Sequence, residues 1–79
     1  MNQKIYNDVI SGKLDNNIHF SDFSKLIIDL GFEFKVQKGS HKSYYHNKIN
    51  KRTTIHNANS KAKGYRVRQL RRIIIKRNL

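Results

Sequence analysis

Histidine is the residue type in this chain best suited to proton transfer near neutral pH, because a free imidazole has a pKa of about 6.5 and the 79 residues include no cysteine. Of the four histidines, His41 has distinctive neighbours: it lies between Lys38 and Lys42 and follows Gly39-Ser40, where we predict a tight turn that leaves the imidazole exposed. A neutral imidazole can take a proton from a hydroxyl group, and adjacent ammonium groups can stabilise negative charge developing on a phosphate. The alternative interpretation is that His41 is an ordinary surface histidine in a basic turn.

The other three histidines are interpreted as polar residues near the ends of strands or loops: His19, His46 and His56. A metal site built from His41, His46 and His56 would have no carboxylate nearby and would lie in a half of the chain that repels cations. We therefore predict neither a metal nor another cofactor. His46 also has the opposite strand parity to His41, so we expect it to face away.

Positive charge is distributed very unevenly along the chain. Seventeen Lys and Arg oppose five Asp and Glu, which gives a net charge of +12. Residues 1–34 contain all five acids and three bases, whereas residues 35–79 contain fourteen bases and no acid. A surface of one sign repels itself unless an anion neutralises it, so nucleic acid is the leading candidate partner and an acidic protein the second. A basic protein without such a partner is the third interpretation.

Length and hydropathy limit the class of protein. A chain of 79 residues suits one small domain with a thin core, and we expect that domain to span residues 1–79. No aliphatic run exceeds three residues, as at Leu26–Ile28 and Ile73–Ile75, whereas a membrane span needs about 20. The first residues also lack the apolar segment of a secretion signal. We therefore expect a cytoplasmic protein.

Three segments have the apolar periodicity of amphipathic helices. The first should end at Gly12, and the second should begin with Ser21 as its N-cap and end at Gly31. The third should begin at Tyr65 and present Arg and Lys outside its apolar stripe. The predicted stripes are Ile5, Tyr6, Val9 and Ile10, then Phe23, Leu26, Ile27 and Leu30, and finally Val67, Leu70, Ile73 and Ile74.

Three strands are predicted between the second and third helices. Phe32, Phe34 and Val36 alternate with polar residues, which indicates a strand with one buried face. Lys42–Asn47 and Arg52–His56 should form two more strands, with a turn at Asn47–Asn50 between them and a polar loop at 57–64. The sequence therefore predicts an α+β fold of order α-α-β-β-β-α, with a three-stranded antiparallel sheet packed against helices.

The segment around Gly39-Ser40-His41 resembles the HicA family of bacterial toxins. The resemblance extends from about Phe20 to Leu79, and the N-terminal helix is similar to that of the longer members. Its further matches are Leu30-Gly31-Phe32-Glu33 before the motif, Ser60-Lys61-Ala62-Lys63 after the third strand, Tyr65 and Val67–Leu70 at the start of the last helix, and Arg77-Asn78-Leu79. Many members carry a second histidine directly after the first, where this chain has Lys42.

The resemblance implies a double-stranded-RNA-binding-like fold, cleavage of messenger RNA that blocks translation, and inhibition by a HicB-like antitoxin that covers the active site. It also implies that His41 is the catalytic residue. Without a metal, His41 would deprotonate a ribose 2′-hydroxyl, and the 2′-oxygen would attack its own phosphate to leave a cyclic phosphate. Lys38 and Lys42 would stabilise the transition state. The group that protonates the departing oxygen is not identified by the sequence.

A basic cluster at the start of the last helix is the predicted RNA contact: Lys61, Lys63, Arg66 and Arg68. Exposed amides at a helix N-terminus also favour phosphate. A solvated charged face is the alternative interpretation of this cluster. A non-catalytic module that binds double-stranded RNA is the alternative for the whole chain, since such modules recognise duplex shape through lysines. DNA binding is less favoured, because the basic helix follows a strand and no helix-turn-helix is evident.

Overall fold

The computed structural model describes all residues from Met1 to Leu79 and has an α+β fold. The element order is α1 (Gln3–Ser11), α2 (Phe20–Asp29), β1 (Glu33–Lys38), β2 (His41–His46), β3 (Lys51–Ala58), β4 (Lys61–Ala62) and α3 (Gly64–Arg77). The class, the three helices and the antiparallel sheet are as predicted, and the arrangement is consistent with a double-stranded-RNA-binding-like fold. None of the helices combines the length and the apolar character needed to cross a bilayer.

The sheet has four strands in the order β1-β2-β3-β4 rather than the three predicted. The additional strand lies in the segment predicted as a polar loop, where Asn57 pairs with Ala62. Asn59 and Ser60 both have positive φ, 53° and 68°, which is the backbone of a two-residue hairpin turn. The Ser60 amide donates to Asn57 Oδ1 at 2.9 Å and holds this turn closed.

The core lies between the three helices and one face of the sheet, and the predicted helical stripes supply most of it. Burying each large aliphatic or aromatic side chain contributes about 1.5–3 kcal/mol. The fully buried large side chains are Val9 from α1, Phe23, Leu26 and Ile27 from α2, Phe32, Thr53 and Ile55 from the sheet region, and Val67, Leu70 and Ile74 from α3. The opposite face of the sheet has no helix packed against it.

The start of α2 differs from the prediction of Ser21 as its N-cap. The helix begins at Phe20, with His19 in the capping position and no side-chain cap. The backbone just before it is bonded to the β3–β4 hairpin instead: the Phe20 amide donates to Ser60 O at 2.9 Å, and the Ala62 amide donates to Ile18 O at 2.9 Å. The first of these bonds satisfies the amide of the first helical residue in place of a local cap, and the second connects the preceding segment to β4.

The prediction that Phe34 and Val36 lie on one buried face of β1 is wrong. Phe34 pairs with Tyr44 on the helix side, whereas a β-bulge shifts the register so that Val36 pairs with Ser43 on the open face. Phe34 is 51% exposed and Val36 is 41% exposed. The bulge breaks the period-two alternation, and β1 is an edge strand that α2 does not cover.

An ion pair between Asp15 and Arg71 connects the segment after α1 to α3. Arg71 donates to both carboxylate oxygens, at 2.8 and 3.1 Å, and also to Val9 O at 3.1 Å. The hydrogen bond to Asp15 raises the pKa of Arg71 above its ordinary value. Both side chains are largely shielded from solvent, so this bidentate contact is stronger than an exposed surface pair.

We predict that Arg71→Met lowers the free energy of unfolding by about 1–3 kcal/mol, because it leaves a shielded carboxylate without its partner. Urea denaturation followed by circular dichroism measures the change. Arg72→Met is the matched control, since Arg72 is exposed on the same helix and makes no ion pair. Equal stability of the two variants would contradict the prediction.

Candidate active site

The β1–β2 turn positions His41 at the exposed start of β2. Gly39 has φ +60°, a conformation that glycine adopts without strain, and an added Cβ there would meet no atom within 4 Å. The turn therefore needs glycine for its backbone angle rather than for space. Lys38 ends β1 and pairs directly with His41 across the strands. Because directly paired residues share a face, Lys38 and His41 lie side by side on the open face of the sheet.

His56 on β3 pairs with His41 from the other side. Its Nδ1 lies 3.0 Å from His41 Nε2, and the two rings are 4.4 Å apart at an interplanar angle of 70°. Ser40 Oγ lies 3.4 Å from the same Nδ1. Lys38, His41 and His56 thus form one row across three strands on the open face.

His56 was not among the predicted site residues. The sequence did hold a signal for it, because the predicted turn at Asn47–Asn50 places residue 46 opposite 51. Continuing that antiparallel register places His41 opposite His56, as the structure has it.

The surroundings of His56 lower its pKa below 6.5. Partial desolvation is the largest cause, followed by the positive charges of His41, Lys63 and Arg66. Lys63 directly precedes α3 and Arg66 lies in its first turn, so the start of this helix is the source of two of these charges. His56 is therefore mainly neutral at pH 7.

The predicted basic residues are not all on the face that carries His41. Lys42 lies on the helix side of β2, where its Nζ is 5.5 Å from the centre of the Phe20 ring. There it lines a shallow cleft together with Gly39, Ser40 and Asn57. Lys42 therefore lies next to the turn on the helix side of the sheet, whereas Lys38 lies beside the imidazole on the open face.

The four basic residues predicted around the start of α3 also have different surroundings. Lys61 Nζ donates to Asn17 Oδ1, away from the histidine pair. Arg66 stacks on the Tyr65 ring at 4.9 Å and donates to Gln69 Oε1 at 3.1 Å. Arg68 is exposed but lies two residues further on, so it does not share a helix face with Arg66. Of these four residues, Lys63 and Arg66 act electrostatically on His56.

His46 lies at the far end of β2 and faces the helices, as its strand parity predicts. It is buried, its Nε2 is 3.1 Å from Leu30 O, and its ring packs edge-on against Phe32. His19 is exposed at the start of α2. Neither residue contributes to the row that contains His41, and the structure contains no group of three or more His, Cys, Asp or Glu that could hold a metal ion.

Tyr44 and Tyr45 face opposite sides of the sheet. Tyr44 is buried in the core, whereas Tyr45 pairs with Arg52 and its hydroxyl donates to Asn50 Oδ1 at 3.0 Å. Tyr45 therefore lies on the same open face as His41, four residues further along β2.

A family model described as the HicA toxin of bacterial toxin–antitoxin systems matches residues 20–77. The match includes α2, all four strands and α3, whereas α1 lies outside it. No curated protein and no solved structure matches the chain.

We predict that NMR titration of the imidazole C–H signals gives His56 a pKa below 6.5, and that Arg66→Gln raises it. Removing a positive neighbour removes part of the repulsion that disfavours the imidazolium, so the pKa moves toward its ordinary value. Arg72→Gln, which removes an exposed charge further along α3, is the control. An unchanged His56 titration in Arg66→Gln would show that this charge does not act on the imidazole.

Proposed function

The chain belongs to the HicA family of bacterial toxins, and we propose that it is a type II toxin that cleaves messenger RNA as a metal-independent endoribonuclease. The observation that carries this proposal is the position of His41, exposed at the end of a glycine turn with Lys38 beside it in register. An imidazole so placed can reach a bound ribose, and an adjacent ammonium group can contact its phosphate.

The proposed reaction is a transesterification within the RNA. His41 accepts the 2′-hydroxyl proton, the 2′-oxygen bonds to phosphorus, and the bond from phosphorus to the 5′-oxygen breaks. The departing 5′-oxygen takes up one proton, so the products are a 2′,3′-cyclic phosphate and a free 5′-hydroxyl. Lys38, on the open face beside His41, stabilises the additional negative charge of the transition state. Lys42 contributes to the positive potential from the helix side of the sheet.

The proposed path of the RNA joins the histidine row to the start of α3. Lys63 and Arg66 bring positive charge close to His56, and α3 begins without a side-chain cap on its first amides. Lys61 and Arg68 do not face His56, but they lie within five residues of Lys63 and would extend the RNA contact beyond the histidine row. Tyr45 on the open face offers a ring on which one base can stack.

An acidic protein is the second proposed partner. Of the fourteen bases in residues 35–79, ion pairs form only at Lys35 and Arg71, so twelve have no carboxylate partner. A HicB-like antitoxin with complementary charge would neutralise this surface and block access of RNA to His41. We propose that toxin and antitoxin meet in the cytoplasm, where messenger RNA is translated.

We also propose that residues 1–79 act as a single domain. Ile5 and Val9 of α1 are buried in the same core as the side chains of α2 and α3. The Tyr6 hydroxyl donates to Leu79 O at 2.9 Å and joins the two ends of the chain.

We predict that the wild-type protein cuts RNA in EDTA and that His41→Ala lowers the rate by about 10²–10⁴-fold, the usual contribution of one positioned acid–base group. Gel analysis of end-labelled single-stranded and duplex RNA measures the rate and identifies the cyclic phosphate product. His19→Ala is the control, because His19 is an exposed histidine outside the site. If wild type and His41→Ala bind RNA and neither cuts it, the non-catalytic module replaces the enzyme.

We predict that RNA binding weakens as salt rises, and that the double variant Lys63→Gln, Arg66→Gln has a shallower salt dependence. For single-stranded RNA the log–log slope falls by about 0.7 for each phosphate contact that is lost. Fluorescence anisotropy in the His41→Ala background measures binding without cleavage. Lys4→Gln is the matched control, since Lys4 lies on α1 and already pairs with Asp8. An unchanged slope in the double variant would remove the start of α3 from the RNA path.

A further inference from the structure

The contact between His41 and His56 determines which of their four ring nitrogens are free. It occupies His41 Nε2 and His56 Nδ1, which are 3.0 Å apart. His41 Nδ1 and His56 Nε2 make no hydrogen bond within the protein. The row on the open face therefore presents two unpartnered imidazole nitrogens, one from each strand.

The hydrogen bond also links the protonation states of the two rings. One of the two facing nitrogens must carry the proton and the other must supply the lone pair. When His41 Nε2 donates, a neutral His41 has a lone pair on its free Nδ1. A neutral His56, which then accepts at Nδ1, has its proton on the free Nε2. This single tautomeric state supplies a proton acceptor on one residue and a proton donor on the other.

We propose that His56 is the second proton-transfer residue of the site, the one that delivers a proton to the departing 5′-oxygen through its contact with His41. This inference rests on the proposed function, because it assigns the acid that a ribonuclease using His41 as base still lacks. It makes His56 a catalytic residue in the strict sense, since its free Nε2 would touch the leaving oxygen.

The proton count of the proposed step balances. The 2′-oxygen gives its proton to His41 Nδ1 as it bonds to phosphorus, and the His41 Nε2 proton moves to His56 Nδ1. The His56 Nε2 proton passes to the 5′-oxygen as its bond to phosphorus breaks. The pair takes up one proton and releases one, so its charge is the same before and after. Exchange with water then restores the original tautomers.

The charges around His56 favour its neutral form. His41 faces it from β2, Lys63 and Arg66 face it from the start of α3, and the uncharged Ser40 hydroxyl lies 3.4 Å from its Nδ1. No carboxylate is among these neighbours, and all acidic residues of the chain lie before residue 34. Positive neighbours disfavour an imidazolium at His56, so His56 keeps a ring nitrogen with a lone pair that can accept from His41 Nε2. A second proton on His56 would occupy that lone pair and break the contact through which the proton passes.

The test compares two versions of one RNA oligonucleotide, a normal one and one in which sulfur replaces the 5′-oxygen at the site that the wild-type protein cuts. A thiolate leaves without being protonated, so the sulfur RNA does not need a general acid. The variant is His56→Asn, whose amide can hydrogen-bond to His41 but cannot pass a proton on. His19→Asn serves as the matched control, and circular dichroism checks the fold of each variant.

We expect His56→Asn to cut the normal RNA about 10²–10⁴-fold more slowly than wild type and to cut the sulfur RNA at close to the wild-type rate. His41→Asn should be slow on both. Wild-type cutting of normal RNA by His56→Asn would overturn the inference, and so would an equal loss on both RNAs, which is the result for a residue that only positions His41. In either case a slow His41→Asn would leave the proposed function intact. If His41→Asn cuts normal RNA as wild type does, the proposed function fails and the inference with it.

Discussion

The antiparallel register between β2 and β3 determines both the core and the candidate site, because the two lie on opposite faces of the same pairs. Tyr44 and Thr53 are paired and buried on the helix side, which fixes the register by packing. That register leaves His41 and His56 directly opposite each other on the open face. A slip of one residue would exchange the two faces, so Tyr44 would leave the core and His41 would turn toward it. The hydrophobic core therefore enforces the contact between the imidazoles without touching them.

The bulge in β1 has a comparable effect on Lys38. Phe34 faces the helices, so regular alternation would send residues 36 and 38 to the helix side as well. The bulge at Lys35 reverses this parity and brings Lys38 to the open face beside His41. The cost is an exposed Val36 and a poorly covered Phe34 on an edge strand. A loss of apolar burial thus accompanies the placement of a cation next to the imidazole.

The sequence predicted the helices well because an apolar stripe at helical spacing has few structural alternatives. It predicted the turn that exposes His41, since Gly39 has few roles other than a special backbone angle. It did not predict β4, because two residues held by a tight turn have no hydrophobic pattern of their own. It misplaced Val36, because alternation identifies two faces but not a bulge. The predicted turn at Asn47–Asn50 implied a register that places His56 opposite His41. Residue type alone, however, did not distinguish His56 from the other exposed histidines.

The unpaired bases of residues 35–79 have a consequence for the fold itself. Their mutual repulsion is present in the compact state and is weakened in an expanded chain, so it lowers the stability of the protein when nothing is bound. Added salt shortens the range of this repulsion, and it also competes with a polyanion for the same side chains. A rise in ionic strength therefore stabilises the unbound fold and weakens the binding of a polyanion. The conditions that best preserve the unbound protein are those in which it holds its partners least tightly.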